Sequence, residues 1–266
     1  MIMGLISKQY HDSKNFVARI DINRKFRTNP QPWTSWIFDQ IKFPEMPQIL
    51  ELGCGNAILW KTNQAKIGAD YHIKLTDFSE GMLKDAQNVL GNIKNKFEYN
   101  VMDAQQITYS NNYFDIIIAN LMLYHIPNRK KAYSEITRVL KIDGSFYAST
   151  FGMKNMQELN NLVHNYDSEL DCSLEKLSNE FGLENGKSQL EEYFEEVEIK
   201  KYPDHLEITE PKPIINYVLS FGRNKAVLTD KKLESFRNYL NEEIEDRNMI
   251  RVTKDTGIFI AKHPIK

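Results

Sequence analysis

The sequence has little of what staples a small fold. It holds two cysteines, Cys54 and Cys172, and no Cys-x-x-Cys pair. That excludes a disulfide framework and a zinc ribbon, and it suits a reducing compartment. Long apolar runs are also missing. The best, Ile116 to Ile126, is broken by Asn120 and His125 and falls short of the roughly 18–20 residues that span a bilayer. The apolar start, Met1 to Ile6, stops at Lys8 before a signal core can form. A cytoplasmic protein without a membrane partner is expected. No charge sign dominates: the formal net charge is -2, so the chain is no general polyanion binder. Internal repeats and low-complexity linkers are absent. What remains is a chain of 266 residues, 41% hydrophobic and 26% charged, long enough to bury a core without staples.

The first 45 residues read as helical and basic. Residues 1–30 carry six Lys/Arg against two Asp, then come Trp33, Trp36 and Phe38, and Pro44 and Pro47 close the section. From Gln48 strand and helix alternate five times. The expected strands are Ile49-Leu50-Glu51-Leu52, His72 to Asp77, Phe97 to Met102, Phe114 to Ala119 and Ser145 to Thr150. The β-branched run of the fourth suits a strand covered on both faces. Ser79 and Asn128 stand where they can cap helices. This alternation predicts an α/β fold, a doubly wound and mostly parallel sheet. The last third is less regular. Helical spacing recurs over Met156–Tyr166, Leu174–Phe181 and Leu233–Ile244, and Pro213 suits the first turn of another helix. Ser188 and Glu191 form a capping-box pattern. Strands are expected near 193–202 and 257–263, the last one antiparallel. Residues 158–198 hold twelve Asp/Glu against two Lys, read first as solvated helix faces.

The strongest chemical signal is Glu51-Leu52-Gly53-Cys54-Gly55. A strand ends in glycines and a helix begins, so a ligand can approach the backbone. Asp77 closes the next strand, and an acid there suits ribose hydroxyls. A dinucleotide site would need a small residue where bulky Ile58 stands. No Walker lysine follows. A ligand with ribose but without phosphate fits better.

These motifs, taken in order, resemble the class I S-adenosylmethionine-dependent methyltransferases, in the bacterial branch acting mainly on small molecules. The resemblance covers Gln48 to Thr150. Beside the glycine turn it rests on Asp77-Phe78-Ser79-Glu80-Gly81-Met82-Leu83, on Asp103-Ala104, on Phe114-Asp115 and on Arg138-Val139-Leu140-Lys141-Ile142-Asp143-Gly144. Ala57 stands where the family usually has a third glycine, and Ile142-Asp143 replaces its usual Lys-Pro wording. The resemblance implies a Rossmann-like core over 48–151 that binds S-adenosyl-L-methionine and releases S-adenosyl-L-homocysteine. A helical lid over 1–47 and a helical cap over 152–266, which includes the last core strands, would complete one integrated domain.

By resemblance, Gly53 and Gly55 pack against the methionine half of the cofactor and Glu51 supports the loop or the amino group. Asp77 takes the ribose hydroxyls, Phe78 lies against the adenine, and Asp103 with Ala104 receives the adenine amino group. Asn120 lies near the methionine tail. His125 and Tyr124 follow the fourth strand, where the reacting methyl is expected. An imidazole there could serve as general base, although many methyl transfers need only alignment. The remaining histidines, His11, His72, His164, His205 and His263, form no metal-spaced pair, so no metal is expected.

The acceptor is expected to be a small molecule offering O, N, S or C, enclosed by Trp33, Trp36, Tyr217 and Phe221. The acidic block would suit a cationic amine. Nucleic acid is not expected, since Asn120-Leu121-Met122-Leu123 lacks the Pro-Pro-aromatic motif of DNA amine methyltransferases and phosphates need Lys/Arg. The alternatives are an RNA or protein methyltransferase, a silent S-adenosylmethionine-binding sensor or scaffold, and a nicotinamide oxidoreductase. A monomer or homodimer is expected.

Overall fold

The computed structural model describes the backbone of residues 14–266 and the side chains of 18–266. Met1 to Ile6, His11 and the start of the expected lid lie outside the described residues.

Among the described residues two helices come first, α1 (Lys14–Phe26) and α2 (Trp33–Gln40). The alternating core follows: β1 (Gln48–Leu52), α3 (Ile58–Thr62), β2 (His72–Asp77), α4 (Glu80–Leu90), β3 (Phe97–Val101), β4 (Phe114–Asn120), α5 (Arg129–Val139) and β5 (Leu140–Phe151). Then come α6 (Gln157–Tyr166), α7 (Glu175–Glu180), α8 (Gly186–Glu191), β6 (Phe194–Ile208), α9 (Pro211–Leu219), α10 (Asn224–Val227), α11 (Asp230–Arg247) and β7 (Ile250–Pro264). The seven strands form one sheet in the order β3-β2-β1-β4-β5-β7-β6. The four pairings among β1 to β5 are parallel, and β7 runs antiparallel between β5 and β6. The order turns back at β1 and β4, and in such sheets ligands bind beyond the carboxyl ends of the strands at that point.

Strand alternation supplies both faces of the sheet. In β4, Phe114, Ile117 and Ala119 join a core with Ala132, Tyr133, Ile136 and Val139 of α5. Ile116 and Ile118 join the opposite core with α2, α3 and α4, through Ile37, Phe38, Trp60, Leu83 and Leu90. Ser79 Oγ accepts from Met82 N and Asn128 Oδ1 from Lys131 N, so both expected caps form. Ser188 does not cap. The helix starts two residues earlier, at Gly186, and the Ser188 hydroxyl donates to Asn185 O.

The last two strands run far longer than expected. β5 ends at Phe151, which pairs with Thr256, but β6 and β7 continue pairing to Ile208–Ile250. Their extension stands beyond the carboxyl edge of the sheet and carries a third core. Leu206, Ile208, Ile250 and Val252 pack there with Ile22 and Phe26 of α1 and with residues of α6, α9 and α11. The cap is therefore anchored by two strands continuous with the sheet, which fixes it over the ligand edge. None of the described helices is long and apolar enough to cross a membrane.

Leu206 is fully buried at the centre of that extension. Leu206→Ala is expected to cost about 2–4 kcal/mol through the cavity it leaves. Urea unfolding would measure this, and a loss below about 0.5 kcal/mol would show that the cap core adds nothing to the fold.

Candidate functional site

The turn after β1 is built almost entirely in left-handed backbone. Gly53 (φ +63°), Gly55 (φ +56°) and Ala57 (φ +57°) all lie there. A Cβ at Gly53 would sit 2.9 Å from Met122 Cβ, so glycine is required on both counts. Ala57 tolerates its conformation at a cost of about 1 kcal/mol. The turn is tied to β2: Gly55 N donates to Asp77 Oδ2 (3.0 Å) and Cys54 N to Thr76 O (2.9 Å). Asp77 Oδ1 accepts from Ser79 N (2.8 Å). The one carboxylate thus joins the glycine turn to the start of α4. Burial raises the Asp77 carboxyl, and these backbone donors hold it back.

Glu51 is the unusual group. It is 1% exposed, and its Oε2 accepts from Trp60 Nε1 at 2.6 Å. No cation meets it among the described residues. Burial, opposed by the indole bond and reinforced by Asp77, pushes its carboxyl up to about 8.

At β3, Asp103 Oδ1 accepts from Gln105 N (2.8 Å) and both its oxygens accept from Gln105 Nε2. Gln105 Oε1 accepts from Asn128 N (3.1 Å), linking this turn to α5. At β4, Asn120 Oδ1 accepts from Ser149 Oγ, which itself accepts from Leu121 N (3.1 Å). Leu121 has φ +54°. The strain here lies directly beside Met122, which covers Gly53.

All of these ends open into one cavity of about 1110 Å³. It is lined by every site residue expected from the sequence: Glu51, Gly53, Gly55, Asp77, Phe78, Asp103, Ala104, Asn120, Tyr124 and His125. Phe78 is half exposed, at 52%, and turned to that space. Tyr124 packs between His125 (4.6 Å) and Phe151 (4.9 Å). His125 ends a 3-10 turn, Leu123–His125. Burial, helped by the Arg19 charge, lowers its imidazole to about 4. It is neutral at physiological pH, and as a general base it is weak.

The cap half differs from expectation. Trp33 and Tyr217 line the cavity, while Trp36 stacks behind Trp33 at 5.6 Å and Phe221 lies under Arg19 at 4.3 Å. Of the acidic block 158–198, the cavity meets only Leu174 and Leu177. The charges that do reach it from the cap are Arg19, Arg24, Arg27, Lys254 and Asp204. The acidic cap for a cationic amine is thus overturned: those acids face away from the cavity. The sequence reading also missed Gln105, Asn155, Met156, Tyr202, Lys254 and Thr256. The polar pair Lys254 and Thr256 left one signal, since alternate residues of β7 otherwise read Ile250, Val252, Ile258 and Ile260.

A glycine turn joined to a strand-end acid, at the reversal of a doubly wound sheet, defines a nucleoside-binding transferase fold. Residues 50–148 match the methyltransferase domain family, which supports the class I S-adenosylmethionine-dependent methyltransferase resemblance over that stretch. It is 30% identical over 105 residues to a ubiquinone/menaquinone biosynthesis C-methyltransferase of Hydrogenovibrio crunogenus, covering 39% of this chain and 41% of that protein. It is 34% identical over 113 residues to a malonyl-[acyl-carrier protein] O-methyltransferase of Bacillus cereus, covering 42% and 40%. Both matches span about two fifths of the relative's length. A similar enzyme of Ilyobacter polytropus aligns over more, 77% and 76%, at 27% identity. Among solved structures, a candidate methyltransferase from an antibiotic biosynthesis pathway of Anabaena variabilis superposes with a TM-score of 0.62 at 14% identity, over 86% of this chain and 96% of that one. A phosphoethanolamine N-methyltransferase of Haemonchus contortus gives 0.57 at 16%, over 100% and 60%. These likenesses establish the fold.

The cofactor of this class is S-adenosylmethionine, and the residues present fit it. A buried carboxylate without a counter-ion, Glu51, matches an ammonium, and the acids Asp77 and Asp103 leave acceptor capacity for hydroxyl and amine donors.

Because the Glu51 carboxyl is raised in the fold to about 8 from an ordinary 4.5, its contribution to stability is full below pH 4.5. It is lost as pH rises through 8. Cofactor-free protein should therefore lose stability over that window, and Glu51→Gln should be more stable than the parent at pH 8 by about 1–3 kcal/mol. Melting curves at pH 5 and pH 8 would check this. Equal pH slopes in the two proteins would overturn it.

Proposed function

We propose that the protein transfers a methyl group from S-adenosylmethionine to a small-molecule acceptor. The observation that carries this is the single cavity shared by the motif residues and the cap. Its roughly 1110 Å³ exceed the ~300–1,000 Å³ of a one-ligand pocket, so there is room for a cofactor and an acceptor together. The ring-lined cap supplies apolar walls through Trp33, Phe151, Tyr202 and Tyr217.

When bound, S-adenosylmethionine supplies an activated methyl on a sulfonium. Glu51 receives its ammonium, and Gly53 and Gly55 allow close approach of the methionine half. Asp77 accepts from the ribose hydroxyls. Phe78 offers a flat face to the adenine, Asp103 accepts from its amino group beside Ala104, and Asn120 borders the methionine tail. Tyr124 and His125 face the acceptor. His125 stays neutral and orients the acceptor by hydrogen bonding, since an imidazole held at about 4 is a poor proton sink at pH 7. The work left to the chain is alignment and exclusion of water. The helices of 1–47 and 152–266 serve as lid and cap of one integrated domain, located in the cytoplasm as a monomer or homodimer.

Calorimetry with S-adenosylmethionine and S-adenosylhomocysteine should give micromolar binding, weakened about tenfold or more (about 1.4 kcal/mol) in Asp77→Ala. Labelled methyl should enter the low-mass fraction of a cell extract. Binding of NAD but of neither S-adenosyl ligand would overturn the proposal. Label confined to RNA or protein would overturn the small-molecule acceptor.

A further inference from the structure

Alternate residues of β7 from Ile250 to Ile260 form one apolar stripe, broken only by Lys254 and Thr256. The break falls where the stripe lines the cavity. Across the ladder Lys254 pairs with Asp204 and Thr256 with Tyr202, and paired residues share a face. Asp204 is already occupied: its Oδ1 accepts from Thr28 N, Thr28 Oγ1 and Asn29 N at 2.9–3.3 Å. The Tyr202 hydroxyl is also spent, donating to Gln31 O. Lys254 Nζ touches Met156 Sδ at 3.8 Å and makes no ion pair among the described residues. Burial lowers its ammonium to about 8, with Asp204 pulling the other way. Thr256 Oγ1 and Trp33 Nε1 are buried without a partner, and both residues line the same cavity. An indole N–H can only donate.

The arginines of the cap sort in the same way. Arg27 donates to the carbonyls of Arg24, Asn29 and Pro30, and Arg24 pairs with Asp21. Among the described residues Arg19 donates only to Ser220, at the hydroxyl and the carbonyl, and keeps further N–H groups. The cofactor half of the cavity carries Glu51, Asp77, Glu80 and Asp103 against Lys84, whereas the cap half carries four cations against the single acid Asp204. The cavity is therefore polarised. Its acidic end suits a cation, and its basic end, with unspent donors, suits an anion.

We propose that the methyl acceptor carries an anionic oxygen group, a carboxylate or a phosphate monoester, received by Lys254 and Thr256 on β7 with Arg19 and the Trp33 N–H of the N-terminal helices. This rests on the methyltransferase reading for the identity of the second ligand, but the subsite itself is built by the chain. It reverses the charge that the acidic segment 158–198 suggests.

The test titrates the full-length protein, with and without saturating S-adenosylhomocysteine, with four probes of one chain length: octanoate, octyl phosphate, octanamide and octylamine. One or both anions should bind at least about tenfold tighter than the amide and the amine, and the better of the two identifies the group. Lys254→Met should remove that preference while its S-adenosylhomocysteine affinity stays within about twofold of the parent, which also certifies its fold. Lys254→Arg should keep the preference. Amide or amine binding as tight as the anions, a preference that survives Lys254→Met, or no probe bound in either state would overturn the subsite. Loss of S-adenosylhomocysteine binding in the parent, with anion preference intact, would instead overturn the methyltransferase reading and leave the subsite standing.

Discussion

Glu51 and Asp77 end two adjacent parallel strands, and no cation in the described protein answers either of them. Both are held by dipoles alone, an indole N–H on one and backbone N–H groups on the other. Each bond costs the protein something elsewhere. Trp60 is fully buried to reach Glu51, and the glycine turn must adopt left-handed backbone to aim Gly55 N at Asp77. Raised carboxyls on both acids measure the tension left over. Such buried carboxyls are kept at a cost to stability, which is the usual mark of a site built for a ligand rather than for the fold.

The second constraint is topological. An antiparallel β7 inserted between β5 and β6 brings the chain back past the carboxyl edge of the sheet. Because β7 runs against its neighbour β5, the residues that precede its pairing with Phe151 necessarily project beyond that edge. β6 follows it there, and the two carry the cap core. One strand therefore contributes Ile258 and Ile260 to the sheet's core, Thr256 and Lys254 to the cavity wall, and Val252 and Ile250 to the cap. Continuity along the strand couples the cap rigidly to the sheet.

The parallel core and its ligand edge were legible because their signals are local. A β-branched run, a glycine pair and an acid at a strand end each state their own conformation, and all ten expected site residues meet in one cavity. The cap was not legible for the converse reason. β6 is studded with Glu195, Glu196, Glu198, Lys200 and Lys201 because it is the edge strand of the sheet and meets solvent, so its hydrophobic pattern is short although the strand is long. The direction in which an acidic helix points depends on which of its residues find the core. In 174–181 these are leucines and Phe181, and the acids are left outside. Ser188 fails as a cap since the preceding turn is held by Asn185, whose side chain bonds Gly182, Ser178 and Asn179 and starts the helix early.

Polarisation of the cavity also bears on rate. Methyl transfer from a sulfonium to an anionic nucleophile destroys two opposite charges, and it is slowed by water, which solvates both. A polarised site that anchors each ligand through groups remote from the reacting atoms and shuts water out leaves the reacting pair itself poorly solvated. The neutral imidazole of His125 belongs to this arrangement: a charged ring beside Arg19 would add a cation at the point where opposite charges must meet, and burial suppresses it. On this view the depressed histidine, the raised glutamate and the depressed lysine share one main cause, burial beside the cavity. Each is buried against a cavity that lacks, in the chain itself, the charges its ligands bring.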